Sequence, residues 1–346
     1  MVSTDCRAFG RTITHEGVLY LGYSASGVSF ITSSNEVYAI INGVPEPKGI
    51  CEPAYLGVFV NDGTEPISRI KVRHGQHRYK VFEQNAKEEV SIDIIKLSEA
   101  QYDKVGIAGI EAGDSIRPTE SKKRKLLFIG DSISAGFGIG GRNGEVFTTA
   151  YEDATKAYPY LVSKELNAEY EIIAWSGGGV ISRWVTEDQN GPDTSYLMPD
   201  IFPYEDISLE ETVIGTRHIR HNFRTFIPDM ITVNLGTNDD SYSRNIPSRN
   251  EQFRTEYCKF LNSLHDYYPG IPVLVVYGLF ETNLNEMVSQ AAKESKCEFL
   301  RLDMMTENDD LCVAGHPGAM VQRNSAEAVA GVIRKNMALG NQIDER

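Results

Sequence analysis

Leu126-Leu127-Phe128-Ile129-Gly130-Asp131-Ser132-Ile133 decides the reading of this chain. Four apolar residues form a short buried strand, and the polar residues that follow fall at its C-terminal tip. In an open α/β sheet the carboxyl ends of the strands face the ligand crevice, so Ser132 stands where a nucleophile would act. The glycines just beyond, Gly136, Gly138, Gly140 and Gly141, allow backbone to approach a substrate closely. A second copy of the tetrapeptide, Gly113-Asp114-Ser115-Ile116, runs instead into Arg117-Pro118 and the charged stretch 120–125, which reads as a turn entering a linker. Ser115 is therefore set aside.

Three further elements follow in order. Ser176-Gly177-Gly178-Gly179 comes after the strand-like Ile172-Ile173-Ala174-Trp175, and Gly236-Thr237-Asn238-Asp239 comes after Met230-Ile231-Thr232-Val233-Asn234-Leu235. His316-Pro317 opens a helical tail. The first two gather with Ser132 at one edge of a parallel sheet.

Around this core the chain divides. From Gly17 to Ala112 short β-like runs separated by turn residues, such as 27–32, 36–43, 55–61, 79–82 and 89–95, predict a β-sandwich over residues 1–118. From Leu126 the rhythm becomes strand, loop, helix. Strands at 126–130, 170–175, 230–235, 273–278 and 298–302 alternate with helices at 158–167, 251–267, 284–296 and 318–337, which predicts a doubly wound α/β/α domain over 125–346 with a central parallel sheet. Pro118 is expected to interrupt regular structure at the boundary. The aperiodic stretch 181–223, carrying Trp184, Met198 and Tyr204, is expected to form a substrate-facing surface, with a packed loop covering the sheet edge as the alternative.

Composition narrows the function. A net charge of -14 over 346 residues disfavours a nucleic-acid partner, and Lys122-Lys123-Arg124-Lys125 reads as a solvated linker. No apolar stretch is long enough to span a membrane, and residues 1–10 lack a signal-peptide core, so a cytoplasmic location is expected, or secretion if a leader has been trimmed. Cys6, Cys51, Cys258, Cys297 and Cys312 are odd in number and widely spaced, which reads as reduced thiols. His218-x-x-His221 lacks a third ligand at a matching spacing, so no metal is expected.

A serine hydroxyl needs a base within hydrogen-bond reach and donors for the oxyanion that its attack creates. His316 is the base candidate among seven histidines, since the others lie outside strand-end motifs. Asp131 reads as the turn residue that holds the nucleophile loop and, with Trp184, is counted among the substrate-facing residues.

Together the four blocks resemble the SGNH, or GDSL-type, hydrolases. The order 128–133, Gly136-Phe137-Gly138, Tyr151-Glu152-Asp153, Ala157-Tyr158-Pro159, 175–180, 235–239 and His316-Pro317, preceded by a sandwich, is similar to carbohydrate esterase family 2 over nearly the whole chain. The resemblance implies a jelly-roll-like sandwich ahead of the hydrolase domain. It implies an oxyanion hole made by the Ser132 N–H, an N–H at Gly177 (with Gly179 as its rival) and the Asn238 amide. It also implies no cofactor, and removal of O-acetyl groups from acetylated xylan or mannan. An acyl-lipid or thioester hydrolase and a non-catalytic carbohydrate-binding protein are the alternatives. The chain departs from the family pattern at Val313, where an aspartate usually stands three residues before the histidine. Asp310, six residues before, or a backbone carbonyl is then expected to orient the imidazole.

Overall fold

The computed structural model describes residues 5–47, 52–215, 218–280 and 282–344, so Cys51 lies outside the described residues. Contacts divide the chain into two compact units. The first holds residues 1–122, 147–154 and 204–221; the second holds 123–146, 155–203 and 222–346.

The first unit contains two antiparallel sheets. One takes Arg7–Phe9 (β1), Gly27–Thr32 (β4), Val90–Lys96 (β9), Tyr55–Val60 (β6) and Ser68–Lys71 (β7) in that order, with Ile116–Pro118 (β11) also paired to β4. The other takes Thr12–His15 (β2), Val18–Leu21 (β3), Lys104–Ala112 (β10), Glu36–Val44 (β5) and Gly75–Glu83 (β8). Inward residues of both sheets, among them Val28, Phe30, Ile92 and Ile94 of one and Val37, Ala39, Ile41 and Ile107 of the other, share one apolar core. Strand β5 shows how the sequence sets this packing, since alternate residues Val37, Ala39 and Ile41 are fully buried between more exposed neighbours. The expected sandwich is what forms. Pro118 does not break regular structure: it closes β11, which pairs with the Phe30 end of β4 while β1 pairs with the Gly27 end, so the proline sits on an edge strand, the position where a sheet tolerates it.

The second unit is built on a five-stranded parallel sheet of Ala168–Ala174 (β13), Arg124–Gly130 (β12), Met230–Asn234 (β14), Val273–Tyr277 (β15) and Glu298–Arg301 (β16), in that spatial order. Its three middle strands read as continuous apolar runs because helices cover such sheets on both faces; every residue of β14 and β15 is buried. Strand order reverses at β12, whose chain successor β13 lies on one side and β14 on the other. That reversal opens a crevice beyond the carboxyl end of β12, at Ser132. No described helix is long and apolar enough to cross a membrane.

The stretch 181–223 corrects an expectation. Trp184 stays 60% exposed, but Met198 is fully buried and its N–H donates to the Gly179 carbonyl at 2.9 Å. The later part packs within the first unit, where Leu209, 1% exposed, joins Ile13 and Tyr20 in a second apolar cluster. The segment around Leu209, with Val213 and Ile214 against the same cluster, is therefore packed structure, because an unpartnered apolar face would be costly in water. Leu209→Ala is expected to cost about 2–5 kcal/mol in denaturant unfolding; a cost below about 1 kcal/mol would show that this cluster adds little to the core.

Candidate active site

Three strand ends supply the site. After β12, Asp131 takes the N-cap position of a one-turn helix, Ser132–Ala135, and its carboxylate accepts the Ile133 N–H at 3.0 Å. Ser132 is the first residue of that turn, so its N–H has no acceptor within the helix. Gly130 cannot carry a side chain: a Cβ there would lie 2.1 Å from Ser134 Oγ. This is why a glycine precedes the nucleophile turn.

His316 reaches the same point from the far end of the sequence. Its Nε2 lies 2.8 Å from Ser132 Oγ. The ring is flanked by Phe137, with centroids 4.7 Å apart, and by Phe280 at 5.8 Å. Burial lowers the His316 pKa below its usual 6.5, and the carbonyls of Val313 and Ala314, which favour the protonated ring, offset only part of that. The imidazole is thus a neutral base at neutral pH.

Asp310 does not orient the imidazole, which corrects its assignment as a third catalytic member. Its Oδ2 accepts the Met320 N–H at 2.8 Å at the start of the last helix, Ala319–Asp344, and its carbonyl accepts the Gly318 N–H at 2.7 Å. A carboxylate so placed satisfies donors that the helix start leaves open. His316 Nδ1 closes no hydrogen bond of good geometry with a described residue, and the groups that favour its protonated form are the carbonyls of Val313 and Ala314. The loop is instead held by its backbone: Cys312 N donates to His316 O at 2.8 Å, and Ala314 takes the left-handed conformation at φ 55°. Gly138, itself at φ 63°, seats this loop, since a Cβ there would lie 2.6 Å from Val313 Cβ.

The remaining two strand ends meet beside Ser132. Gly236, at φ 124°, turns the chain out of β14 into the helix Thr237–Ser243. Asn238 is then placed to donate from Nδ2 to the Gly178 carbonyl at 2.8 Å and to Asp131 Oδ2 at 3.3 Å. Gly177, at φ 75°, follows β13, and its carbonyl is held by the Trp184 N–H at 2.9 Å. The structure thus brings Asp131, Ser132 and His316 together, joins Asn238 to the glycine cluster, and ties Trp184 to Gly177.

Four contributors were not singled out from sequence. Asp239, fully buried, accepts N–H groups from Val180, Ile181 and Ser182. Burial raises its pKa to about 6, with those donors pulling it down. Gln322 accepts the Tyr158 N–H at 2.8 Å and donates to the Ile133 carbonyl at 2.9 Å, tying the last helix to the nucleophile turn. Phe280 walls His316, and the Arg183 guanidinium lies 3.5 Å from the point a Gly177 Cβ would occupy. Only Asp239 had a local signal, its place directly after Asn238.

Residues 128–319 match the model of the GDSL-like lipase/acylhydrolase family. The chain belongs to that family. Among curated relatives, an acetylxylan esterase / glucomannan deacetylase of Cellvibrio japonicus is 26% identical over 275 residues, 79% of this chain and 71% of the relative. The cellulase/esterase CelE of Acetivibrio thermocellus is 28% identical over 186 residues, 53% of this chain and 21% of the relative, so the chain spans about a fifth of that protein. Solved structures share the fold of this GDSL-like hydrolase. A family two carbohydrate esterase from Clostridium thermocellum, in complex with cellohexaose, superposes with a TM-score of 0.84 at 21% identity over 96% of this chain and 99% of that one. An acetyl xylan esterase from the rumen bacterium Butyrivibrio proteoclasticus gives 0.85 at 21% identity over 98% and 96%.

Two outcomes follow from the His316 environment. The acid limb of kcat/KM against pH should have its midpoint below 6.5, because catalysis needs the neutral ring and burial disfavours the charged one; a midpoint clearly above 6.5 would contradict this. Gly138→Ala should lower kcat by about tenfold or more by displacing the Val313 loop; unchanged kcat would show that the loop tolerates the added methyl.

Proposed function

We propose that the chain is a serine carbohydrate esterase that removes O-acetyl groups from plant polysaccharides or their oligosaccharides, acetylated xylan and mannan in particular, through an acetyl-enzyme. The observation that carries this is the 2.8 Å contact of His316 Nε2 with Ser132 Oγ at the carboxyl end of β12. The names of the curated relatives, an acetylxylan esterase / glucomannan deacetylase among them, support the choice of acyl group and of polymer.

On this reading, neutral His316 takes the Ser132 proton as Oγ attacks the acetyl carbonyl. The oxyanion is met by the Ser132 N–H, an N–H at Gly177 and the Asn238 amide, which gives up its longer contact to Asp131. The imidazolium then protonates the sugar oxygen as its bond to the acetyl carbon breaks, so the sugar leaves with a free hydroxyl and the acetyl stays on Ser132. Water, deprotonated by the same ring, attacks the acetyl-serine, and the collapse releases acetate and returns the proton to Ser132. No residue in this sequence of steps must be oxidised or hold a metal. The imidazolium is stabilised by the Val313 and Ala314 carbonyls rather than by Asp310, so the pair acts as a dyad. The 60% exposed Trp184, tied through its N–H to Gly177, offers a ring face for stacking a sugar beside the acetyl.

Acetate release from acetylated manno- and xylo-oligosaccharides should fall by at least about a thousandfold in Ser132→Ala and stay at the wild-type rate in Ser115→Ala. Activity surviving in Ser132→Ala would overturn the nucleophile. Faster cleavage of long-chain acyl esters than of acetyl by the intact chain would move the reading to an acyl-lipid hydrolase.

A further inference from the structure

Asp239 is 0% exposed and cannot touch a substrate, yet it spends both carboxylate oxygens on one short stretch of backbone. Oδ1 accepts the N–H groups of Val180 at 2.9 Å, Ile181 at 2.7 Å and Ser182 at 3.1 Å, and Oδ2 lies 3.0 Å from the same Val180 nitrogen. These bonds join the loop after β14 to the loop after β13, two segments almost sixty residues apart in sequence. They are charge-assisted and shielded from water, the setting in which a hydrogen bond is strongest. Gly179 is shaped to this contact: a Cβ there would lie 2.6 Å from Asp239 Oδ2 and 2.0 Å from Ser182 O. The residue before Asp239 grips the same loop from the other polarity, Asn238 Nδ2 holding the Gly178 carbonyl at 2.8 Å. The dipeptide Asn238-Asp239 therefore binds one carbonyl and three N–H groups of the stretch 178–182, which fixes the orientation of the peptides leading out of Gly177.

We propose that Asp239 is a positioning residue for the oxyanion site, presetting the glycine loop 177–179 and, through Gly178, the Asn238 amide. The inference rests on the esterase reading above. It assigns Asp239 no contact with the substrate; the carboxylate acts through the donors it aligns. Donors already aligned need no reorganisation as charge develops, so loss of the clamp reduces transition-state stabilisation and leaves ground-state sugar binding intact.

Asp239→Asn is the test, because an amide of the same shape keeps one acceptor oxygen and turns its NH2 towards groups that can only donate. On acetylated xylo-oligosaccharides, kcat should fall about 10- to 100-fold with KM within threefold of wild type. Asn238→Ala should lower kcat by itself, and the double variant should lose less than the product of the two single losses by at least about fivefold, since both act on one loop. A folded Asp239→Asn protein with kcat within threefold of wild type, a change confined to KM, or strictly multiplicative losses would overturn the proposal. Ser132→Ala decides the esterase reading separately: an inactive Ser132→Ala beside a fully active Asp239→Asn leaves the nucleophile standing and removes only the clamp. If Asp239→Asn does not fold, hydrogen exchange of the wild-type protein decides. Val180, Ile181 and Ser182 amides protected as strongly as Ile172 and Ile173 in β13 would support the clamp, and exchange as fast as in the exposed stretch 187–190 would overturn it.

Discussion

Everything in the second unit is arranged around the reversal of strand order at β12. A parallel strand flanked by its sequence successor on one side and by a later strand on the other leaves its carboxyl end facing an open crevice. The chain then has three strand ends within reach of one another, each of which must turn sharply. Gly130, Gly177 and Gly236 make those turns possible, and the residues within two positions after them, Ser132, the glycine cluster and Asn238, inherit their places from the sheet. Catalytic geometry here is a consequence of topology before it is a property of any side chain.

The fourth component, His316, is brought in by a different device. No strand end carries it; a loop closed by Asp310, Cys312 and Gly318 presents it, and that loop rests on the side-chain-free surface of Gly138. The arrangement explains how a site can operate with no carboxylate on Nδ1. Two phenylalanines fix the ring plane and reduce its exposure, which keeps it neutral, while backbone carbonyls supply the partial negative charge that favours the cation when it forms. Asp310 is still required, but as the cap of the last helix, and Gln322 one turn into that helix locks it to the nucleophile turn.

Much of this was legible in sequence because parallel strands buried on both faces leave unbroken apolar runs, and polar residues at their ends then stand out. The five strands of the parallel sheet fall within two residues of where the runs of Leu126, Ile172, Met230, Val273 and Glu298 put them. The sandwich strands β4, β5, β6, β8 and β9 were readable by alternation. The short β1, β2, β3 and β7, and the proline-ended β11, were not, since three or four residues carry too little periodicity, and the nine-residue β10 was not because Gly106, Gly109 and a bulge between Ile107 and Gly109 interrupt its alternation. Asp310 misled because sequence distance from a histidine does not say which way a loop carboxylate points. Asp239, Gln322 and Phe280 owe their roles to contacts with residues between 36 and 189 positions away, and apart from the place of Asp239 directly after Asn238 no local pattern records them. The packing around Leu209 was hidden for the same reason: it finds its apolar partners at Ile13 and Tyr20.

The central claim, that the strand-end serine carries the acetyl group, is tested most directly by acid-quenching the wild-type protein in the first turnovers with acetylated xylo-oligosaccharide and mapping its peptides by mass. An acetyl adduct is expected on the peptide that contains Ser132, absent when the same protein is quenched without substrate. Acetate formed during turnover with no acetyl on that peptide, or with the acetyl on another residue, would contradict it.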